Sequence, residues 1–215
     1  MKIVSVILAR GGSKGIPRKN LINLQGFPLI SYTIKESIKS NVNETWVSTE
    51  DNEIKTISKK YGANVIDRPS KFSTDTSQSE EALIHFAQNI ESDFIVFIQP
   101  TSPLLDSKYI NKGLDMMKKY DSVFSAYKEH WQPRWTKNNK PYKWDINKRP
   151  RRQDKEELFV ENGAFYINSR NSILKNKLRY SGNIGIVEMP LYKSFQVDEV
   201  NDLTLINKIL YYDKL

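Results

Sequence analysis

Ile3-Val4-Ser5-Val6-Ile7-Leu8-Ala9-Arg10-Gly11-Gly12-Ser13-Lys14-Gly15-Ile16-Pro17-Arg18-Lys19-Asn20 passes from an apolar run directly into a loop of glycines and cations. Lys2–Ala9, rich in Ile and Val without polar alternation, reads as a strand buried on both faces. In the loop, Gly11, Gly12 and Gly15 let the backbone approach a ligand closely. Arg10, Lys14, Arg18 and Lys19 add four positive charges, and Ser13 adds a hydroxyl. Open α/β sheets bind ligands at the carboxyl ends of parallel strands, where this loop would lie. A triphosphate is the natural guest, because its charge needs several cations and backbone donors together. The spacing matches neither G-x-x-x-x-G-K-[ST] nor G-x-G-x-x-G. The plainer alternative is a glycine-rich turn with solvated lysines, against which stands the repulsion among so many cations held without an anion.

Outward from that loop, strand-like and helix-like segments alternate. Pro28 opens a helix running to Ser40, with Ile30, Ile34 and Ile38 stacked on one face. Glu44–Thr49 reads as a strand, Asp51–Tyr61 as a helix closed by Gly62, and Asn64–Asp67 as a strand. A helix over Ser77–Ile90 precedes the apolar strand Phe94–Ile98, which ends at Gln99-Pro100-Thr101-Ser102-Pro103. A helix over Asp106–Tyr120, strands at Ser122–Tyr127, Gly163–Asn168 and Gly185–Glu188, and a helix from about Asn201 to Tyr212 complete the pattern. Such an order predicts an α/β fold with a mostly parallel sheet, helices on both faces and right-handed crossovers.

The 215 residues suffice for one sizeable core, so residues 1–215 are expected to form a single domain. With no cysteine, disulfides and thiolate metal sites are excluded. Only two histidines, His85 and His130, argue against a histidine-rich metal site. The apolar N-terminal run is short and is followed by Arg10 where a cleavage site would need small residues, so it reads as a strand rather than a leader. No stretch is long enough to span a bilayer, and a cytoplasmic protein without membrane contact is expected.

The net charge of +8 is unevenly placed: Lys128 to Lys155 holds ten Lys/Arg against three acids, with three prolines and three of the four tryptophans. Residues 128–160 therefore read as an excursion, a basic Trp-rich flap or dimerisation arm whose cations meet a local anionic partner. No RNA-binding motif accompanies the charge, so nucleic acid is not expected as a partner.

The run Ala9 to Asn20 resembles the signature loop of the acylneuraminate cytidylyltransferases, the CMP-sialic acid synthetase family. Four further stretches agree in order: Arg68-Pro69 with Asp75-Thr76, Gln99-Pro100-Thr101-Ser102-Pro103-Leu104, Arg151-Arg152-Gln153, and Asn162-Gly163-Ala164 with Tyr166. The resemblance covers nearly the whole chain. It implies a Rossmann-like nucleotide-diphospho-sugar transferase fold, a homodimer, and transfer of CMP from CTP to an acidic 2-keto sugar with release of pyrophosphate. Arg10, Gly11, Gly12, Ser13, Lys14 and Lys19 would then hold the CTP phosphates, and Asn20, Arg68 and Ser79 the base and ribose. Gln99, Arg152, Asn162 and Tyr166 would form the sugar site, with Arg152 pairing with the carboxylate. Arg10, Lys14, Lys19 and Asp198 would carry the catalysis. Taken singly, Arg68 also reads as an arginine before a proline, Ser79 as a helix-start hydroxyl, and Pro100 and Pro103 as turn punctuation.

Two departures stand out. The family places an Asp-x-Asp pair after a late strand to hold Mg²⁺, and here the run is Gln196-Val197-Asp198. Asp198 keeps a hard oxygen ligand, whereas Gln196 offers only an amide. Asp202 follows one turn later and reads as a helix N-terminal acid. The family also packs a Phe-Phe pair from the partner subunit near the sugar's N-acyl group, where this chain has Arg179-Tyr180. Another nucleotide or sugar on the same fold, or a non-catalytic nucleotide-binding homologue, are the alternatives these departures leave open.

Overall fold

The structure is a computed structural model that describes residues 1–13, 15–130, 132–154 and 156–212, with Arg152 described in its backbone only. The chain begins with β1 (Ile3–Leu8), a small hairpin of β2 (Asn23–Leu24) and β3 (Phe27–Pro28), and α1 (Leu29–Lys39). There follow β4 (Glu44–Thr49), α2 (Asn52–Lys60), β5 (Asn64–Asp67), α3 (Ser79–Asn89), β6 (Phe94–Ile98), α4 (Ser107–Met116) and β7 (Ser122–Lys128). After the excursion come β8 (Phe159–Ser169), α5 (Arg170–Asn176), β9 (Ile184–Glu188) and α6 (Val200–Tyr212).

Seven strands form one sheet in the order β5-β4-β1-β6-β8-β7-β9. β1 lies parallel to both β4 and β6, β4 to β5, and β7 to β9. β8 alone runs against its neighbours β6 and β7. The basic excursion explains that reversal. Its base is closed by Glu129 N–H donating to the Leu158 carbonyl at 2.8 Å, so β7 and β8 are arms of one long hairpin and must oppose each other.

Helices cover both faces, as the alternating pattern predicts. On one side Ile30 and Ile34 of α1, Ile54 of α2 and Ile110 of α4 pack against Ile7, Val47, Val96 and Ile98 of the sheet. On the other, Leu83, Phe86 and Ala87 of α3 and Ile173 of α5 pack against Val4, Val6, Ile95 and Phe97. A third cluster joins Ile16 and Leu24 to Leu104, Val197 and Ile206, and so ties the glycine loop to the C-terminal segment and α6.

Several boundaries differ from the sequence reading. Ile38 does not join Ile30 and Ile34 in the core; it is 46% exposed at the end of α1. The excursion is shorter than residues 128–160, because Lys128 belongs to β7 and Phe159-Val160 to β8. Within it, isolated bridges pair Trp135 with Pro141 and Asp145 with Lys148. Trp135 and Trp144 meet edge to face at 5.1 Å, and Trp144 Nε1 donates to the Arg134 carbonyl. Trp131 and Lys155 lie outside the described residues.

Candidate functional site

β1 and β6 are adjacent parallel strands, so the loops after Leu8 and Ile98 emerge side by side. Between them opens a cavity of about 610 Å³, counting the solvent at its mouth. Arg10, Gly12, Ser13, Lys19, Asn20, Ser79, Gln99 and Thr101 wall it, with Leu8 and Phe97 beneath. Seven residues from the sequence-based site, drawn from three separated segments, thus meet in one place.

The loop is braced from below by acids that sequence reasoning missed. Gly11 N–H donates to Glu50 Oε1 at 2.7 Å, while Glu50 Oε2 accepts from Ser73. Gly11 also passes so close to Asp51 that a Cβ there would meet its Oδ2 at 2.7 Å. Gly11 therefore serves the protein's own packing, and its N–H is given to Glu50. Arg18, in the left-handed region at φ 55°, reaches Asp51 at 2.5 Å and Glu53 at 2.5 Å, away from the cavity. The hydrogen bond donated to Asp51 raises the Arg18 pKa, and reciprocally Arg18 holds the Asp51 carboxyl below its usual value. Only contacts some 33 to 39 residues apart in sequence reveal these braces.

Among the described residues, two cations of the loop remain at the cavity. Arg10 binds the Thr74 carbonyl at 2.5 Å and Asp75 at 3.2 Å, so its guanidinium links the loop to the turn before α3. Lys19 Nζ lies 3.0 Å from Asp198 Oδ1, with the lysine largely covered and the carboxylate 66% exposed. Lys14 lies outside the described residues. Gly15 fixes the geometry of the Lys19–Asp198 region: a Cβ there would stand 2.6 Å from the Asp198 carbonyl oxygen. Asp202 accepts from the Asp198 and Glu199 N–H groups, the N-terminal helix role read for it.

Asn20 is 7% exposed, with Nδ2 donating to the Arg10 carbonyl at 2.8 Å. Its buried Oδ1 has no hydrogen-bond partner among the described residues, an acceptor the cavity can offer to a ligand hydroxyl or amine. Ser79 is the first residue of α3, whose N-terminus opens on the cavity. Arg68, also 7% exposed, does not line the wall. Its Nε donates to Ser48 Oγ at 3.2 Å and Nη2 to the Ser48 carbonyl. Burial pushes its pKa down to about 10, Glu50 opposing the shift and Arg10 adding to it.

The other residues expected at a sugar site divide. Gln99 lines the cavity, whereas Asn162 is fully engaged elsewhere. Asn162 Oδ1 accepts from Ser125 Oγ and the Ala164 N–H, and its Nδ2 donates to Ser194 Oγ at 2.9 Å. Tyr166 sits behind the wall, stacked on Phe97 at 5.5 Å, with its hydroxyl donated to Glu161. Burial first, and Glu161 second, raise its pKa. The Arg152 side chain lies outside the described residues. Arg179 and Tyr180 pack within their own chain: Arg179 pairs with Glu80 at 2.6 Å and lies over the Tyr166 ring at 4.9 Å, and Tyr180 contacts Phe124 and Tyr166.

Behind Gln99 is a polar hub. Gln196 Nε2 donates to the Asn162 carbonyl at 2.6 Å, Ser102 Oγ at 3.2 Å and Gln99 Oε1 at 3.3 Å. Gly163, at φ +70°, passes so near that a Cβ would meet Gln196 Nε2 at 2.5 Å. Among the described residues no group of three or more His, Cys, Asp or Glu is placed to hold a metal ion, and none of the helices is long and apolar enough to cross a membrane.

Comparison with known proteins gives one family over most of the chain. Residues 4–209 match the family model described as Cytidylyltransferase. N-acylneuraminate cytidylyltransferase B of Danio rerio is 38% identical over 204 residues, 90% of this chain and 48% of its own. The N-acylneuraminate cytidylyltransferase of Oncorhynchus mykiss is 40% identical over 182 residues, 80% of this chain and 42% of its own. That of Streptococcus agalactiae serotype III is 31% identical over 224 residues, 99% of this chain and 54% of its own. The chain thus spans about half the length of the curated relatives it matches. Two solved structures share the fold. CMP:2-keto-3-deoxy-manno-octonic acid synthetase complexed with CTP superposes with a TM-score of 0.76 at 18% identity, covering 99% of this chain and all of that one. The 4-diphosphocytidyl-2C-methyl-D-erythritol synthase of Anaerococcus prevotii gives 0.72 at 13%, covering 98% of each.

Proposed function

We propose, for a chain that belongs to the cytidylyltransferase family, that it transfers CMP from CTP to an acidic 2-keto sugar of the sialic acid type and releases pyrophosphate. The observation that carries this reading is the gathering of Arg10, Gly12, Ser13, Lys19, Asn20, Ser79 and Gln99 around one cavity at the ends of β1 and β6. Similarity to N-acylneuraminate cytidylyltransferases supports the acidic sugar as the acceptor.

The sugar's anomeric oxygen attacks the α-phosphorus of CTP in line. A new P–O bond forms, the bond to the β-phosphate oxygen breaks, pyrophosphate leaves, and the hydroxyl proton passes to water. Arg10 and Lys19, with Lys14 as a third cation, neutralise charge growing on the leaving pyrophosphate, while backbone N–H groups at Gly12 and Ser13 orient it. Asn20 and Ser79 take the nucleoside, with the free Asn20 Oδ1 as acceptor for a base or ribose donor. Gln99 and Arg152 meet the sugar. Arg68, Asn162 and Tyr166 support these walls from behind.

Asp198 fits a Mg²⁺ role by the chemistry of its donor set. It is one exposed carboxylate beside the phosphate loop, and Mg²⁺ commonly takes one or two carboxylates and completes its shell with phosphate oxygens and waters. The ion would supply neutralisation of phosphate charge when bound. Residues 1–215 act here as one cytidylyltransferase domain in the cytoplasm, with the basic excursion as the arm of a homodimer.

The test is pyrophosphate release with each of CTP, ATP, GTP and UTP against a panel of nonulosonic acids and Kdo in the presence of Mg²⁺. Release confined to CTP with a sugar acid is expected; no release with CTP across the panel sinks the reading. The absence of a carboxylate at Gln196 favours a second reading, a nucleotide-binding homologue without turnover. Tight CTP binding in that silent panel would select it.

A further inference from the structure

We infer that Gln196 is a positioning residue that decides which end of the Gln99 amide faces the cavity, and so makes that wall a hydrogen-bond donor. This rests on the proposed reaction only in naming the ligand. The argument starts from an atom that cannot be reversed. The Asn162 main-chain carbonyl is an obligate acceptor, and it lies 2.6 Å from the end of the Gln196 side chain, so that end must be the NH₂ group. With one hydrogen committed to Asn162, the other lies between Ser102 Oγ at 3.2 Å and Gln99 at 3.3 Å. An NH₂ from Gln99 would set donor against donor there, so Gln99 presents Oε1. The Gln99 Nε2 end then turns away from the hub, and Gln99 lines the cavity.

Main-chain packing leaves the hub little freedom. Gln99 N–H is held by the Ala164 carbonyl at 3.2 Å, and Val197 N–H by the Thr101 carbonyl at 2.8 Å. Gly163 supplies the room: a Cβ there would stand 2.5 Å from Gln196 Nε2 and 3.1 Å from Gln99 Oε1. A side chain offering oxygen at position 196 would reverse Gln99 and put Oε1 toward the ligand. The chemistry recognised by the arrangement as it stands is an acceptor, an ionised carboxylate or a carbonyl oxygen of the sugar acid, rather than a donating amide.

The experiment has a ligand-free arm and a kinetic arm. Side-chain amide exchange with water, followed by ¹H–¹⁵N spectra and assigned with Gln99→Leu and Gln196→Met, is expected to find the Gln196 NH₂ slow and the Gln99 NH₂ fast. In Gln196→Glu the Gln99 NH₂ becomes slow. A Gln99 NH₂ already slow in the unmutated protein, or unchanged in the variant, overturns the inference. In the kinetic arm, the kcat/KM preference for the sugar acid over its primary carboxamide falls about tenfold in Gln196→Glu, the size of one misdirected hydrogen bond. A purely structural role would lower both substrates alike and leave the ratio unchanged, which also overturns it. Should Gln196→Glu not fold, Gln196→Met, which removes the donor at similar volume and leaves Gln99 free to turn either way, must show a smaller loss of preference in the same direction, and an unchanged ratio there overturns the inference. If no sugar acid is turned over with CTP, the functional reading fails, and the exchange arm alone decides the orientation.

Discussion

Gly12→Ala is the sharpest test of where a ligand sits, because the free protein gives that methyl group nothing to meet. A Cβ built on Gly12 has no heavy atom within 4 Å among the described residues, and the residue is not in the left-handed region. The substitution should leave stability within about 0.5 kcal/mol of the original. Nucleotide affinity should respond very differently, since a phosphate packed on that bare backbone meets the new methyl directly. Overpacking of that kind costs about 1–3 kcal/mol, and the middle of that range, about 1.4–2.7 kcal/mol, is roughly a 10- to 100-fold rise in Kd. With CTP at a hundred times the original Kd, ligand stabilisation of about 2.7 kcal/mol falls to about 0.4–1.4 kcal/mol. For a chain of this length the CTP-induced rise in Tm then drops from about 5–11 °C to about 1–6 °C. Gly15→Ala is the contrasting control. Its Cβ meets the Asp198 carbonyl oxygen at 2.6 Å, a backbone atom that cannot rotate aside, so it lowers Tm before any nucleotide is added. Differential scanning fluorimetry with and without CTP reads both variants. A full CTP shift in Gly12→Ala would refute the placement of the phosphates on this loop.

Three further outcomes follow from named contacts. Lys19→Ala should abolish turnover while leaving the melting curve nearly unchanged, because its partner Asp198 is mostly exposed and such pairs contribute about 0–1 kcal/mol; retained pyrophosphate release removes Lys19 from the phosphate grip. Gly163→Ala combines a left-handed φ with a clash against Gln196 Nε2 and should cost about 2–4 kcal/mol, read as a lower urea midpoint at constant slope. Asp51→Asn keeps the α2 N-cap to the Ile54 N–H but loses the Arg18 pair. The folded pKa of Asp51 is depressed below 3.8, so its contribution is present above that value and lost as pH falls through the folded pKa. Arg18 is half-exposed, which limits the deficit to about 0.5–1 kcal/mol. The variant should be less stable than the original at pH 7, with the deficit shrinking as pH falls below 3.8; a deficit that stays constant over that range would disprove the linkage.

Periodicity made the parallel half of the fold readable, because β1 and β6 are apolar runs and the helices between the strands carry their own stripes. β8 was only half legible. Its first residues include Glu161 and Asn162, which look unlike a buried strand until Tyr166, Ser125 and Ser194 are seen to take their polar atoms. α5 is short and polar, with Ile173 its one fully buried residue, so no stripe announces it. In the site, the cations and glycines were visible because they cluster in sequence. Glu50 was not, since its role arises only when β4 brings it under Gly11 from 39 residues away.

That difference alters what the glycine loop means. Three glycines looked like one device for letting a ligand approach, yet each answers to a different neighbour. Gly11 yields to Asp51 and gives its N–H to Glu50, and Gly15 yields to the Asp198 backbone; Gly12 alone faces open space. Two of the three thus serve to seat the loop on the protein. The seating at Gly15 matters for chemistry as well as packing, because the same segment returns the Asp198 carboxylate to Lys19. A loop that shifts to relieve Gly15 must therefore also disturb the Asp198 carboxylate that pairs with Lys19. On the proposed reading, phosphate grip and metal ligand would be coupled through the backbone contact at Gly15. The loss at Gly15→Ala should accordingly exceed what strain alone predicts, and appear as a raised Mg²⁺ requirement for CTP binding as well as a lower Tm.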